Sequence, residues 1–301
     1  MINYDLYLKV KNLYDNRQYK EALNYGKELY SLNPNNSPIK LMLAKLYIKN
    51  NQTFKGEKML LELTNTRSKN YAFLELANIE YKKNNFSLSE DYLNKIEAKE
   101  LLERTNILKS KVLKKQNKID LARKELTNLI NTSYKNKALI ELGVLEVEQK
   151  NYDLAELYFS KLLGTKDNNY AILLLGRLEL KKDNIERAKN YFNSILDTNK
   201  KELALLELGR IELSLDNNKE ARSIFEKLLD TSERNCAKLE ISKIDIKEGN
   251  LDTAKKTLKQ LLHTSTVNMA VFELARIDIL ENNLEAAKTK YKKLLHTSSR
   301  N

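Results

Sequence analysis

Residues 203–213 read Leu203-Ala204-Leu205-Leu206-Glu207-Leu208-Gly209-Arg210-Ile211-Glu212-Leu213, followed by the turn Asp216-Asn217-Asn218 and the segment from Glu220 to Leu229. Ala204, Leu208 and Ile211 stand at i, i+4 and i+7, the spacing of one face of an α-helix. Leu203, Leu206 and Leu213 make a second apolar stripe on another side. A helix that is apolar on two sides needs two neighbours, the following helix of its own unit and helices of the preceding unit. Gly209 lets the backbones approach closely at that crossing. The turn stops the helix, as Glu248-Gly249-Asn250 and Glu281-Asn282-Asn283 do later, because asparagine and glycine tolerate the left-handed backbone found there. The second helix brings Ala221 to the contact and presents Phe225 and Leu228 four and seven residues on. It ends at Asp230-Thr231-Ser232, where Thr231 is expected to cap or turn the chain rather than act as a nucleophile.

Gly209 belongs to a series. Ala44, Ala77, Ser110, Gly143, Gly176, Gly209, Ser242 and Ala275 follow one another at 33-residue steps, and twelve residues downstream run Gly56, Ser89, Ala122, Ala155, Ala188, Ala221, Ala254 and Ala287. Two small-residue ladders in phase predict stacked helix pairs, each unit burying its apolar face only against its neighbours. The expected fold is all-α, one array over residues 1–301 of about nine helix-turn-helix units. Their approximate bounds are 1–36, 37–69, 70–102, 103–135, 136–168, 169–201, 202–234, 235–267 and 268–301. Only seven glycines and two prolines, Pro34 and Pro38, are present to interrupt helices.

The 301 residues carry a formal charge of +12, concentrated in residues 37–69 (+5) and 103–135 (+6). Cys236 is the single cysteine, which excludes an internal disulfide and fits a reducing compartment, so a cytoplasmic location is expected. The start, Met1-Ile2-Asn3-Tyr4-Asp5-Leu6, has no basic segment leading into an apolar core. No apolar run approaches the roughly 18 residues of a membrane span, so neither secretion nor membrane insertion is expected.

Leu-Gly in the first helix, followed by Tyr152-x-x-Ala155-x-x-x-Phe159 at the start of the second, resembles tetratricopeptide repeats; Tyr19-Lys20-Glu21-Ala22 with Leu32-Asn33-Pro34-Asn35-Asn36 is the fullest match. The units are a 33-residue variant of the 34-residue repeat, without the inter-repeat proline after the first unit and without tryptophan. The resemblance implies a right-handed superhelix whose first helices line a concave groove that binds protein segments. On that groove Leu173, Leu206, Leu239 and Phe272 are expected to supply apolar contacts.

Two polar ladders are expected along the groove wall. Glu75, Glu141, Glu207, Glu240 and Glu273 are interrupted by Met42, Leu108 and Leu174; Lys45, Lys111, Arg177, Arg210, Lys243 and Arg276 are interrupted by Asn78 and Val144. Pairing each acid with the base of the next unit, 36 residues on, matches Glu75–Lys111, Glu141–Arg177, Glu207–Lys243 and Glu240–Arg276. Inter-repeat salt bridges are expected at those four pairs. Arg210 is then left over, because Leu174 precedes it by 36 residues, and its guanidinium is expected to be available to a ligand carboxylate or phosphate.

Catalytic and cofactor signals are missing from the pattern. His263 and His296 stand one repeat apart with no His or Cys beside them, so no metal site is expected, and the glycines form no phosphate loop. Cys236 is expected to be structural. The expected function is a non-catalytic interaction scaffold without cofactor, binding an extended or helical segment of another protein. The alternative is a recognition arm of a larger enzyme or assembly: Thr297-Ser298-Ser299-Arg300-Asn301 echoes Thr231-Ser232-Glu233-Arg234-Asn235, and the last helix is expected to expose Ala287, Tyr291 and Leu294, which invites self-association. Nucleic-acid binding through Arg104, Lys109, Lys111, Lys114, Lys115, Lys118, Arg123 and Lys124 is disfavoured, because these residues face several sides of two helices and lack interleaved aromatics.

Overall fold

A computed structural model describes residues 3–298, with side chains through residue 295. Among them every regular element is helical, as the 3.6-residue patterning predicts, and the α-helices form consecutive antiparallel pairs. They fall into two compact units, divided after Tyr134.

The first unit holds α1 (Tyr4–Asp15) with α2 (Tyr19–Leu32), α3 (Ser37–Lys49) with α4 (Thr53–Glu62), α5 (Lys69–Lys82) with α6 (Phe86–Asn94), and α7 (Leu102–Lys115) with α8 (Ile119–Thr127). The second holds α9 (Lys135–Glu148) with α10 (Tyr152–Ser160), α11 (Asn168–Lys181) with α12 (Ile185–Asn193), and α13 (Lys201–Ser214) with α14 (Asn218–Glu226). It continues with α15 (Arg234–Lys247) and α16 (Leu251–Gln260), then α17 (Val267–Leu280) and α18 (Leu284–Ser298).

One left-handed residue ends the first helix of each pair: Arg17, then Asn51, Asn84, Asn117, Lys150, Asp183, Asp216, Gly249 and Asn282. The following N–H turns back to close the helix end, as Asn217 N does on Glu212 O at 2.9 Å and Asn250 N on Asp245 O at 2.8 Å. In the turn around 216–218 the left-handed residue is Asp216, one position before the asparagines. Between pairs, Thr231 Oγ1 donates to Leu228 O at 2.9 Å and accepts from Glu233 N at 3.2 Å, so Thr231 is a turn residue. Thr66, Thr132, Thr165, Thr198 and Thr264 repeat the arrangement. At the corresponding Lys99 the hydroxyl is missing and a 3₁₀ turn, Lys99–Leu101, takes the same place.

Size matching fixes the crossing inside each pair. A Cβ on Gly143, Gly176 or Gly209 would lie 2.2, 2.6 or 2.5 Å from the ring of Phe159, Phe192 or Phe225, sixteen residues downstream. Where the ladder carries Ala44, Ala77, Ser110 or Ser242, the residue sixteen on is Leu60, Leu93, Leu126 or Leu258. The three phenylalanines are fully buried, so each glycine exists to make room for a ring.

Each core lies between one pair and the first helix of the next. Leu206, Ala221, Phe225 and Leu228 meet Ala237 and Ile244; Leu173, Ala188, Phe192 and Ile195 meet Ala204 and Ile211; Leu239, Ala254, Leu258 and Leu261 meet Ala270 and Ile277. This overturns the groove role expected for Leu173, Leu206 and Leu239. They are 0, 3 and 1 % exposed, because their side of the first helix faces the next pair. Ala287 is also buried, against the expectation that it faces water. Of the closing segment, residues 299–301 lie outside the described residues, as do the side chains of His296, Thr297 and Ser298.

Candidate functional site

Successive first helices touch, α3 with α5 and α5 with α7 in one unit, α13 with α15 and α15 with α17 in the other, so their polar ladders become continuous surfaces. The charges on them pair, but in the direction opposite to the one expected. Arg177 Nη2 and Nε approach Glu207 Oε1 at 2.7 and 2.9 Å, Arg210 Nε reaches Glu240 Oε1 at 2.9 Å, and Lys45 Nζ lies 3.2 Å from Glu75. Each of these three bases meets the acid 30 residues ahead, whereas Lys243 stays with Glu240 of its own helix.

Within a helix, Arg210 also touches Glu207 at 3.3 Å, Lys243 touches Glu240 at 2.9 Å and Arg276 touches Glu273 at 2.8 Å. Glu207 thus meets Arg177 and Arg210 instead of Lys243, Glu240 meets Arg210 and Lys243 instead of Arg276, Arg177 turns to Glu207 instead of Glu141, and Glu75 holds Lys45 where Lys111 was expected. In a helix every Cα–Cβ bond leans toward the N-terminus, and the stagger of adjacent first helices then places base before acid. At the offset of 30, Asn78 corresponds to Leu108 and Val144 to Leu174, so each step that falls within one unit matches either two charged residues or none in the sequence.

Arg210 is accordingly no spare cation. Burial works against its charge, but the carboxylates of Glu240 and Glu207 outweigh that effect and raise its pKa. Glu207 and Glu240 are themselves buried and satisfied by these ion pairs. At Arg177 and Arg210 the ladder is a register device between repeats, so Arg210 is not left open to a ligand.

Within each unit, a second set of ion pairs ties second helices to the end of the next first helix. Glu57 takes Lys83 at 2.7 Å and Glu156 takes Lys182 at 2.5 Å. Lys189 takes Glu212 at 2.8 Å, Arg222 takes Asp245 and Glu248 at 2.7 and 2.9 Å, and Lys255 takes Glu281 at 2.5 Å. Glu90 likewise takes Lys118 at 3.1 Å, so the acid is on the second helix at three of these joints and on the following first helix at the other three.

Among the recesses of the described surface, two have mainly apolar linings. On α1 and α3, Lys11, Tyr14, Pro38, Leu41, Met42 and Lys45 line a recess of about 200 Å³. Burial, and next the Glu75 carboxylate, pushes the Tyr14 phenol up, so its hydroxyl stays a hydrogen-bond donor. Residues 1–134 hold 24 of the 53 basic and 15 of the 41 acidic residues, and so +9 of the formal +12. The other feature is a larger depression of about 660 Å³ on α17 and α18, with Phe272, Met269, Tyr291, Leu294 and Leu295 as its apolar floor. Of the apolar residues assigned to a groove from sequence, only Phe272 is exposed, at 45 %.

Among the described residues no group of three or more His, Cys, Asp or Glu could hold a metal ion, and no helix is long and apolar enough to cross a membrane. Burial, followed by a hydrogen bond to Glu233, raises the Cys236 pKa, which works against a reactive thiolate. Lys109, Lys118 and Arg123 of the basic α7–α8 pair are engaged by Glu125, Glu90 and Asp120.

Comparison with solved structures agrees with the helix pairing. A tetratricopeptide repeat protein from Parabacteroides merdae is 14% identical, with a TM-score of 0.58 over 86% of this chain and 98% of that one. PilW, a type IV pilus biogenesis factor, is 16% identical with a TM-score of 0.56, covering 65% of this chain and 93% of its own. A Rap protein complexed with Competence and Sporulation Factor is 13% identical, with a TM-score of 0.51 over 98% and 97%. At these identities the likeness is one of fold. No curated protein sequence matches the chain. Residues 13–72, 107–171 and 173–235 match tetratricopeptide repeats, a typically non-catalytic class that generally mediates protein–protein interactions. With paired helices throughout and repeat matches over most of its length, the chain belongs to the tetratricopeptide repeat family.

Proposed function

We propose that this chain is a non-catalytic scaffold whose first unit holds a carboxylate-bearing segment of a partner protein against the face of its first helices. The observation that carries the reading is the recess on α1 and α3. Lys11 and Lys45 flank it, Tyr14 offers a protonated hydroxyl, and Leu41 and Met42 give it an apolar floor. A segment with one apolar anchor and adjacent acids would replace water over that floor and meet the unit's excess positive charge. The bound segment is extended or helical, since first-helix faces of helix pairs present grooves of either kind. The single cysteine supports a cytoplasmic setting.

Selection from a displayed peptide library by the full chain tests this. The expected result is enrichment of peptides pairing an aliphatic or aromatic residue with neighbouring Asp or Glu, with binding weakened by roughly tenfold in a Lys11→Glu, Lys45→Glu variant. No enrichment, or enriched peptides indifferent to those substitutions, would overturn the reading. Polynucleotide binding that survives physiological salt and depends on the same lysines would replace it with a nucleic-acid role.

A further inference from the structure

The face formed by α17 and α18 reproduces, position for position, the faces that earlier pairs bury. Phe272, Ala287, Tyr291 and Leu294 stand 33 residues after Leu239, Ala254, Leu258 and Leu261, the group that receives Ala270 and Ile277 from the next first helix. They stand 66 residues after Leu206, Ala221, Phe225 and Leu228, which receive Ala237 and Ile244. Where that helix arrives the leucine is nearly inaccessible; at α17 the corresponding Phe272 is 45 % exposed and neighbouring Met269 58 %. Tyr291 packs edge-on against Phe272 at a centroid separation of 5.6 Å, so the apolar floor is already ordered.

Charge specifies what fits. Arg177 and Arg210 each meet a carboxylate from the incoming helix, Glu207 and Glu240. Arg276 occupies the same position, half exposed, and among the described residues its ion pair is with Glu273 of its own helix. Lys189, Arg222 and Lys255 each meet an acid near the end of the incoming helix, and Lys288 takes that position on α18, where among the described residues its ion pair is with the exposed Glu285 of its own helix. The face therefore offers two cations at the positions where the joints that receive α13 and α15 take two acids; at the α17 joint only Lys255 takes one, while Lys243 stays with Glu240 of its own helix.

We infer that the α17–α18 face is a docking surface for an amphipathic helix from a partner protein, carrying a small residue, an acid three residues on and an aliphatic residue four after that. Three of the four first helices received in this unit have that pattern, Ala204-x-x-Glu207-x-x-x-Ile211, Ala237-x-x-Glu240-x-x-x-Ile244 and Ala270-x-x-Glu273-x-x-x-Ile277; α11, received next to Val144 instead of a cation, carries Ala171, Leu174 and Leu178. The small residue lets the helix seat on Phe272, the acid reaches Arg276, and the aliphatic side chain fills the depression over Tyr291 and Leu294. A second acid toward the helix end meets Lys288. The chain's own first helix does not present this pattern. In the register set by the left-handed residues Arg17 and Asn51, the three positions on α1 are Asp5, Leu8 and Asn12, with a charge where the small residue belongs and none where the acid belongs. A second copy docked end to end is therefore mismatched. This inference stands independently of the recess on α1 and α3.

The test uses the full chain and a synthetic helix pair of residues 234–266 as probe, with Cys236→Ser to prevent oxidation. That probe carries Ala237, Glu240, Ile244, Asp245 and Glu248, the groups that meet Arg210 and Arg222 inside the protein. Saturable binding by fluorescence anisotropy is expected, reduced at least about tenfold by Phe272→Asp or by Arg276→Glu, both on exposed side chains. A Glu240→Arg probe is expected to recover affinity toward the Arg276→Glu protein and lose it toward the unaltered one. Absence of saturable binding, or equal binding by all variants, would overturn the inference. Self-association of the full chain in sedimentation equilibrium, abolished by Phe272→Asp, would assign the face to a second copy and overturn it as well.

Discussion

Gly209→Ala would place a methyl carbon 2.5, 2.8 and 2.9 Å from Cε1, Cζ and Cδ1 of Phe225, against a comfortable carbon–carbon separation of about 3.5–4.0 Å. The ring cannot swing aside, because Phe225 is fully buried among Leu206, Ala221, Leu228, Ala237 and Ile244. Overpacking of this kind costs about 1–3 kcal/mol, and the contact with three ring atoms puts the site at the upper end. Alanine returns about 1 kcal/mol through its better helix propensity. A net loss of about 2 kcal/mol is expected. In a Phe225→Leu background the balance reverses, since that change restores the pairing seen at Ala77 with Leu93, and there Gly209→Ala should stabilise by about 1 kcal/mol. The four proteins form a double-mutant cycle with a coupling of about 3 kcal/mol. Repeat arrays need not unfold in one step, so the readout is native-state hydrogen exchange at α13 and α14, beside thermal melting of the full chain. Gly209→Ala having the same sign and size with Phe225 and with Leu at 225 would refute the size-matching argument.

The turn ladder and the ion-paired carboxylates give two more expectations. Gly249 has a φ of +82° with nothing within 4 Å of an added Cβ, so Gly249→Ala should lower the denaturation midpoint by backbone strain alone, worth roughly 1–2 kcal/mol; Lys150→Asn, at φ 60°, should raise the midpoint, and a neutral result at both sites would sink the reading. Lys189 and then Asn217 hold the Glu212 carboxyl below its ordinary value of 4.5, and at Glu80 burial pushes up while Lys83 and Asn85 prevail. A carboxyl whose folded pKa is depressed stabilises above its unfolded pKa and loses that contribution as pH falls through the folded one. The melting temperature should therefore drop between about pH 5 and pH 3, less steeply in Glu212→Gln, and a pH profile unchanged by that substitution would count against the assignment.

The alternation of helix and turn was legible because its causes are local. Apolar spacing around Gly209, a turn residue at 216–218 and the threonine at 231 each act within a few residues, and the 33-residue period carries them along the chain. One further signal was present and unread: glycine at 143, 176 and 209 pairs with phenylalanine sixteen residues later, while Ala or Ser at 44, 77, 110 and 242 pairs with leucine. The candidate surface was less legible. An acid-to-base offset of 36 and a base-to-acid offset of 30 are the same two ladders read in opposite directions, and they differ only in which end of a neighbouring helix a side chain leans toward.

The sequence by itself determined helix pairs, their period and the residues at each turn, since backbone hydrogen bonding and φ preferences depend on near neighbours. Tertiary structure decided the direction of the ion-pair ladder, closing Arg210 between Glu207 and Glu240. It also decided which apolar residues stay open. Leu173, Leu206, Leu239 and Phe272 occupy one position of the repeat, and only the arrival of a following helix separates the three that are core from the one that is surface.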